Sequence, residues 1–262
     1  METKEILAQH YGSYDEDSRL LSQHGQVEFL TTMGYVEKYL RPGMRVLEIG
    51  AGTGRYSHTL ARQGYQVDAV ELIESNIEIF RQSTQPGEDI RVTQEDARNL
   101  EGFSGYDITL LLGPMYHLFT QEDKEQALSE AVRVTKSGGV IFAAYCMADP
   151  SILCYGFIRG YIHSLMEKKM LDPVTFAAFS EPSDLFALHR KEDIDALRAK
   201  LPVSQLHFVA ADGFTNYMRD TVDAMDKETF DIYLKYHQAV CERPELVGYS
   251  HHTLDIFRKD TL

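Results

Sequence analysis

The sequence predicts an α/β fold: a doubly wound, mostly parallel seven-stranded sheet with an inserted helical cap. Strand and helix patterns alternate five times between residues 45 and 145, and such a succession of βα units is typical of a parallel sheet with helices on both faces. Residues 106–112 form an almost continuous apolar run, as expected for a central strand that is buried on both sides. A glycine-rich turn follows the first strand, at the sheet edge where ligands bind in such folds.

The individual elements follow from apolar periodicity and from glycine and proline punctuation. In the first part of the chain, strands are predicted at 45–49, 66–70, 90–93, 106–112 and 140–145, and helices at 26–40, 56–63, 74–84 and 122–135. The alternation stops after residue 145. Beyond it, helices are predicted at 192–200 and 225–241, and strands at 206–210 and 252–257.

These patterns predict one domain that spans residues 1–262. Residues 1–40 are interpreted as an N-terminal helical arm, part of which could act as a lid. Residues 147–188, which contain apolar helical stretches and aromatic-rich loops, are interpreted as a cap inserted over the sheet. Residues 216–243 are a second segment that could belong to the same cap.

Composition restricts the partners that we expect. The chain has 26 basic and 40 acidic residues, which gives a formal net charge of −14. A surface with this charge repels nucleic acid. No apolar run is long enough for a membrane span, and the first residues lack the apolar core of a secretory signal, so we expect a cytoplasmic protein. Three cysteines without zinc-site spacing predict neither a disulfide framework nor a metal site. The sequence does not fix the oligomeric state.

The glycine turn carries the first functional signal. Glycine recurs at every second position, at Gly50, Gly52 and Gly54, where it permits positive φ and a close approach of the backbone to a ligand. The dinucleotide fingerprint would need glycine where the chain has Arg55, and the lysine of a P-loop is absent. The turn therefore predicts a nucleotide-type site and disfavours an NAD-type cofactor.

Three acidic residues at successive strand ends indicate which chemical groups the ligand carries. Glu48 precedes the first glycine by two residues and suits a cationic amino-acid group. Glu71 ends the second strand, where a carboxylate can accept both hydroxyls of a ribose. Asp96, with Glu95 as its competitor, follows the third strand and can accept from an exocyclic amine. The expected ligand has a cationic end, a diol and an amine-bearing base.

The segment VLEIGAGTGRYS at 46–57 resembles the first motif of class I S-adenosylmethionine (SAM)-dependent methyltransferases. Glu71 matches their ribose acid, and residues 95–97 match their adenine-edge motif. Residues 113–118 and 252–259 are similar to a bacterial subgroup of small-molecule methyltransferases whose acceptors are largely unassigned. The resemblance implies SAM as the cofactor, S-adenosylhomocysteine (SAH) as its product, and cofactor contacts from Glu48, Gly50, Ala51, Gly52, Gly54, Glu71, Leu72, Asp96, Ala97, Leu112 and Gly113.

Methyl transfer from a sulfonium mainly needs alignment of the reactants, and a general base is needed only for a protonated acceptor. His117 follows the fourth strand and is the candidate base. Tyr116 beside it is the second candidate catalytic residue and is expected to line the same pocket. Tyr14 could fold over the cofactor, and Arg19 could pair with its carboxylate. The C-terminal histidines, His237, His251 and His252, are expected to be structural.

These observations predict a SAM-dependent methyltransferase that acts at O, N or S of a small neutral or cationic molecule by in-line displacement. Three alternatives remain open from the sequence. One is a protein that binds SAM or SAH without transferring a methyl group. Another is an NAD-type oxidoreductase, and the third is a methyltransferase that modifies RNA or protein.

Overall fold

The computed structural model of the chain describes residues 3–11 and 22–261, and it contains one mixed sheet of eight strands. The strands are β1 (Arg45–Ile49), β2 (Gln66–Glu71), β3 (Ile90–Gln94), β4 (Tyr106–Leu111), β5 (Thr135–Met147), β6 (Leu188–His189), β7 (Val203–Ala210) and β8 (His252–Lys259). Their order is β3-β2-β1-β4-β5-β8-β7, and the two-residue β6 pairs with β5 beside this path. The predicted doubly wound, mostly parallel sheet is confirmed, with β6 as an additional short strand.

Helices connect and cover the strands. They are α1 (Thr3–Tyr11), α2 (Gln23–Tyr39), α3 (Arg55–Arg62), α4 (Glu74–Ser83), α5 (Gln121–Val134), α6 (Ala148–Ser151), α7 (Ile162–Glu167), α8 (Lys191–Arg198), α9 (Arg219–Asp223), α10 (Lys227–Val240) and α11 (Pro244–Val247). A π-helix, Ile152–Ile158, continues α6 in the segment that the sequence predicted as a cap. Helix α2 begins earlier than predicted because the Ser22 side chain accepts from the amide of Gly25 and caps it.

Side chains on alternate positions of the strands feed two apolar layers. Val140 and Phe142 of β5 pack into the layer with α2 and α3, whereas Ile141 and Ala143 pack into the opposite layer with α5 and α8. This period of two is what a strand buried on both faces requires. Helices therefore cover both faces of the sheet. The edge formed by the carboxyl ends of the parallel strands is left available for a binding site.

The predicted boundary between α5 and β5 is wrong. The sequence predicted a helix to residue 135 and a strand beginning at 140, but β5 already begins at Thr135. The pairing explains the difference, since Tyr106 lies opposite Thr135 whereas Ile108 lies opposite Val140. The extra residues bulge out of the β4–β5 ladder around Gly138, whose φ of 77° lies in the left-handed region that glycine tolerates.

Strand β8 runs antiparallel to β5 on one side and to β7 on the other. The strand predicted at 252–257 is thus found as an antiparallel strand, and β7 lies at the edge of the sheet. Because β8 is antiparallel, its first residue, His252, pairs with Cys146 near the end of β5. The beginning of β8 and the end of β7 therefore lie at the same sheet edge as the glycine turn.

Helix α1 lies against α4 and against the short helix Pro182–Asp184 of the predicted cap. Its Leu7 side chain is buried and lines a cavity described below. The candidate lid residues Tyr14 and Arg19 lie outside the described residues. Across 3–11 and 22–261, none of the helices combines the length and the apolar character that a bilayer span requires.

Candidate cofactor and acceptor site

Two adjoining cavities open at the carboxyl edge of the parallel strands. The smaller, of about 690 Å³, is lined by the glycine turn and the ends of β1 to β4, and we name it the cofactor cavity. The larger, of about 1080 Å³, is lined largely by residues of the segment 151–188 and is named the acceptor cavity for the role proposed for it. Glu28, Tyr116 and His252 line both cavities and form the junction between them.

The glycine turn has the backbone that its sequence predicts, with φ of 76° at Gly50, 55° at Gly52 and 94° at Gly54. A side chain at Gly50 would meet Pro114 Cδ at 2.5 Å, so the turn packs tightly against the residues that follow β4. At Gly54 an added Cβ would lie 2.3 Å from Phe80 Cδ2. Gly54 thus serves the packing of α3 on α4 and, unlike the other predicted glycines, does not line the cofactor cavity.

Glu48 lies at the floor of the cofactor cavity, with 2% of its surface exposed. Its Oε2 accepts from the amide of Ser57 at 2.9 Å and also from the Ser57 hydroxyl, which satisfies the first turn of α3. Burial raises the pKa of Glu48 to about 8, against the effect of these hydrogen bonds. A cation placed beside this carboxyl would favour its ionised form.

Glu71 connects the glycine turn to the next helix. Its Oε2 accepts from the amide of Gly52 at 2.8 Å, and its Oε1 accepts from the amide of Ile73 at 2.9 Å. Burial raises the pKa of Glu71, and these hydrogen bonds oppose the shift. Oε1 also accepts from the side-chain amide of Asn76 at 3.4 Å. Because each carboxylate oxygen has two lone-pair sites, Oε2 can still accept from a ligand hydroxyl.

Asp96 is half-buried, and Arg98 holds it from within the same turn. Arg98 Nη2 lies 2.6 Å from Asp96 Oδ2, and its Nη1 lies 2.8 Å from Asp123. The remaining predicted contacts lie in the same cavity, whose lining includes Glu95, Ala97, Leu72, Leu112 and Gly113.

The two predicted catalytic residues occupy different places. Tyr116 lies at the junction, and its hydroxyl donates to the carbonyl of Leu112 at 2.8 Å. His117 lines the cofactor cavity but not the acceptor cavity, and its Nδ1 lies 2.8 Å from the carbonyl of Leu185. A carbonyl only accepts, so His117 Nδ1 carries a proton and donates it there.

Sequence reasoning missed a second ionisable group at the junction. His252 Nδ1 lies 2.7 Å from Asp212 Oδ2 and 3.5 Å from Glu28 Oε2. Asp212 is 3% exposed and also accepts from the hydroxyl of Ser250 at 2.7 Å. Glu28, Asp212 and His252 belong to α2, to the turn after β7 and to β8, so no local spacing could have identified them. The only available signal was the antiparallel terminal strand, which brings His252 to this edge.

Comparison with known proteins agrees with this geometry. Residues 46–139 match the family model described as a methyltransferase domain. The ubiquinone biosynthesis O-methyltransferase of Leptothrix cholodnii is 25% identical over 186 residues, which cover 67% of this chain and 76% of that protein. This chain is a class I SAM-dependent methyltransferase.

Solved structures share the fold of the methyltransferase. Magnesium protoporphyrin IX methyltransferase (ChlM) from Synechocystis PCC 6803 with bound SAH aligns over 99% of this chain and 100% of its own, with a TM-score of 0.61 at 13% identity. The N-methyltransferase NodS from Bradyrhizobium japonicum in complex with SAH aligns over the same shares, also with a TM-score of 0.61, at 11% identity. At such identities the likeness concerns the fold alone.

Glu48 makes the stability of the methyltransferase depend on pH. Its folded-state pKa of about 8 lies above the ordinary carboxyl value of 4.5, so its ionisation disfavours the fold and stability falls as the pH rises between these values. In the absence of ligand we expect Glu48→Gln to raise the free energy of unfolding at pH 7 by up to about 3 kcal/mol. Urea denaturation at pH 5, 7 and 9 measures this, with exposed Glu101→Gln as control. A Glu48→Gln protein less stable than wild type at pH 9 would contradict it.

Two of the three glycines of the turn, Gly52 and Gly54, offer a matched pair of substitutions. Gly54→Ala places a methyl group into the Phe80 ring and strains a positive φ, and we expect a loss of about 2–4 kcal/mol in unfolding free energy. Gly52→Ala has a similar backbone strain but meets nothing within 4 Å, so it should cost only about 1 kcal/mol. Thermal and denaturant unfolding measure the loss of unfolding free energy in both variants. Equal losses would show that contact with Phe80 is unimportant.

Proposed function

We propose that this methyltransferase holds SAM in the cofactor cavity and methylates a small molecule held in the acceptor cavity. The observation that carries the proposal is the junction, where Glu28, Tyr116 and His252 belong to the walls of both cavities. A methyl group can pass between two ligands only where their sites meet, since the reacting atoms must come within roughly 3–3.5 Å. The acceptor atom is O, N or S.

The charge of the cofactor cavity supports a cationic ligand. Six carboxyl groups line it, those of Glu28, Glu48, Glu71, Glu95, Asp96 and Asp123, against two arginines, Arg55 and Arg98. Arg98 is already paired with Asp96 and Asp123. Such a lining suits a sulfonium and an ammonium group and disfavours the pyrophosphate of an NAD-type cofactor. SAH in the solved structures of ChlM and NodS points to the same ligand class.

Within this proposal each predicted residue that lines the cofactor cavity has a part. Glu48 and the turn Gly50, Ala51 and Gly52 bind the amino-acid end, and Glu71 accepts from the ribose hydroxyls. Asp96 and Ala97 contact the adenine edge, while Leu72, Leu112 and Gly113 pack on the remaining surface. Leu7 of α1 and Pro182 cover the cavity from outside. The role of residues 1–40 as a lid, that of 147–188 as a cap, and the cytoplasmic location stay predictions.

SAM supplies an electrophilic methyl group, whose bond to sulfur breaks with its electron pair remaining on sulfur as the bond to the acceptor forms. The residues of the chain have to align the acceptor and take its proton. With Nδ1 held by the buried Asp212 at 2.7 Å, Nε2 of His252 is the ring nitrogen that can receive this proton. We therefore assign to His252, at the junction, the role that the sequence suggested for His117.

Cofactor binding is tested by calorimetry with SAM, SAH and NADH. We expect both adenosyl ligands to bind and NADH not to bind. Glu71→Ala should weaken binding at least tenfold because it removes charge-assisted hydrogen bonds, whereas exposed Glu101→Ala, which lines neither cavity, should not. Circular dichroism checks that Glu71→Ala is folded, since Glu71 also holds the amide of Gly52. A folded wild-type protein that binds neither SAM nor SAH would refute the proposal.

The proton-transfer role is tested by the pH dependence of SAH release with an accepting hydroxyl compound from a small-molecule panel. Burial lowers the pKa of His252, but the carboxylates of Glu28 and Asp212 outweigh it and raise this pKa well above 6.5; Cys146 also faces the ring. The neutral base forms only above that pKa, so kcat/KM should rise with pH through a limb above pH 6.5. His252→Gln should lower kcat/KM at least about a hundredfold and abolish its rise with pH, whereas His117→Gln should retain this rise.

Two outcomes of the same assay identify the alternatives. Tight SAH binding without turnover across the panel would favour a protein that binds the cofactor without transferring methyl groups. Turnover with His252→Gln unchanged and His117→Gln inactive would return the base to His117. Activity on RNA or protein but on no small molecule would overturn the small-molecule assignment, which the lining of the acceptor cavity by residues of the segment 151–188 supports.

A further inference from the structure

We propose that the acceptor carries a carboxylate group and that Arg159 and Arg219 bind it on the wall of the acceptor cavity. This inference rests on the proposed function and names the substrate class of the same site. Both arginines line the cavity. Arg159 directly follows the π-helix Ile152–Ile158, and Arg219 is the first residue of α9.

The two guanidinium groups differ from the other arginines of this acidic chain, most of which pair with a carboxylate. Such pairs are formed by Arg45, Arg62, Arg81, Arg91, Arg98, Arg133, Arg190, Arg198 and Arg243. Arg159 and Arg219 form no ion pair with any residue in the described ranges. Arg219 donates only its Nε, to Asn216 Oδ1 at 2.6 Å, which leaves its terminal nitrogens for a bidentate partner. Arg219 helps to lower the pKa of Asp223. The ion-pair partner of Asp223 is His24, whose Nδ1 lies 2.7 Å from its Oδ2.

Two buried polar atoms lie in the same wall. The hydroxyl of Tyr217 and Nδ1 of His251 are inaccessible to solvent and have no hydrogen-bond partner among the residues that the structure describes. Their rings are 5.2 Å apart, and both line the cavity. Burial raises the pKa of Tyr217, which keeps this hydroxyl protonated as a donor. Buried polar groups are usually hydrogen-bonded, so a small rotation of either side chain toward a polar ligand in the cavity would be favourable.

The arginines and these polar groups form one cluster. The pKa of His251 is lowered to about 4, mainly by burial, and Arg219 and Arg159 contribute to this shift. Burial raises the pKa of Cys154, which lines the same cavity, and both arginines oppose this shift. Guanidinium and hydroxyl donors in the lining of one cavity suit the four lone-pair sites of a carboxylate.

The charge balance of the cavity agrees with an anionic ligand. Its lining has three basic residues, Arg159, Lys168 and Arg219, and three acidic ones, Glu28, Asp184 and Asp212. Asp212 is neutralised by His252 at 2.7 Å. The neutral or cationic acceptor expected from the sequence rested on the net charge of −14, which averages over the whole surface. The local balance in the acceptor cavity is the relevant quantity, and it is not acidic.

The hydrogen-bond pattern also orients the ligand. Arg219 is connected to the junction through Asn216, whose side-chain amide donates to Asp212 Oδ2, and Asp212 in turn holds His252. A carboxylate on the arginines therefore lies at one end of this chain of contacts, and the group that accepts the methyl lies at the other end, beside His252. The acceptor is a molecule whose carboxylate and nucleophile are separate groups.

The test measures binding of matched probes to the SAH complex of the wild-type protein by calorimetry. The probes are benzoate and benzamide, phenylacetate and phenylacetamide, phenylpropionate and its amide, and phenyl phosphate. We expect at least one carboxylate to bind about tenfold or more tightly than its amide. Arg159→Gln and Arg219→Gln should each remove about tenfold of this preference, and Arg159→Lys should retain part of it. Arg243→Gln, on an exposed arginine outside both cavities, should retain all of it.

Several results would overturn the inference. These are equal binding of acids and amides, no binding of any carboxylate, a preference unchanged in both glutamine variants, or a stronger preference for phenyl phosphate, which would assign a phosphate instead. SAH affinity and circular dichroism are measured first for every variant. Failure of wild type to bind SAH refutes the proposed function itself, whereas SAH binding without a carboxylate preference refutes only the inference about the acceptor.

Discussion

The pairing of β8 with β5 on one side and β7 on the other is the constraint on which the site depends. It joins the last strand of the chain to the parallel part of the sheet, and it buries Asp255, which Arg198 and Gln205 satisfy at 2.5 and 2.8 Å. Because an antiparallel strand starts where its neighbours end, the same pairing brings His252 to the edge that carries the glycine turn. The ladder that completes the core therefore also completes the junction between the two cavities.

Much of the fold and of the cofactor cavity could be predicted because their signals are local. The order of β1 to β4, the glycine turn and the acids Glu48 and Glu71 all follow from short patterns whose physical meaning is fixed by strand ends. The bulge in β5 could not be predicted, since it depends on the register between Tyr106 and Thr135. The contact between His252 and Asp212 could not be predicted, because it joins β8 to the turn after β7 and its significance depends on the cavity beside it.

Function and stability oppose each other at Glu48. A carboxyl group that is 2% exposed and whose pKa is raised to about 8 is unfavourable for an empty fold. The same burial makes it a strong partner for a cation, because the low local dielectric strengthens the attraction. The hydrogen bonds from Ser57 hold the group in place in either state. A residue that costs stability without ligand is thus suited to a ligand that carries positive charge.

The position of α1 has a kinetic consequence. This helix touches α4 on the side of the cofactor cavity and the short helix Pro182–Asp184 on the side of the acceptor cavity, while Leu7 and Pro182 both line the cofactor cavity. Displacing α1 would uncover the smaller cavity and at the same time release a support of the segment above the larger one. Exchange of ligands from the two cavities would then be coupled through the packing of this one helix.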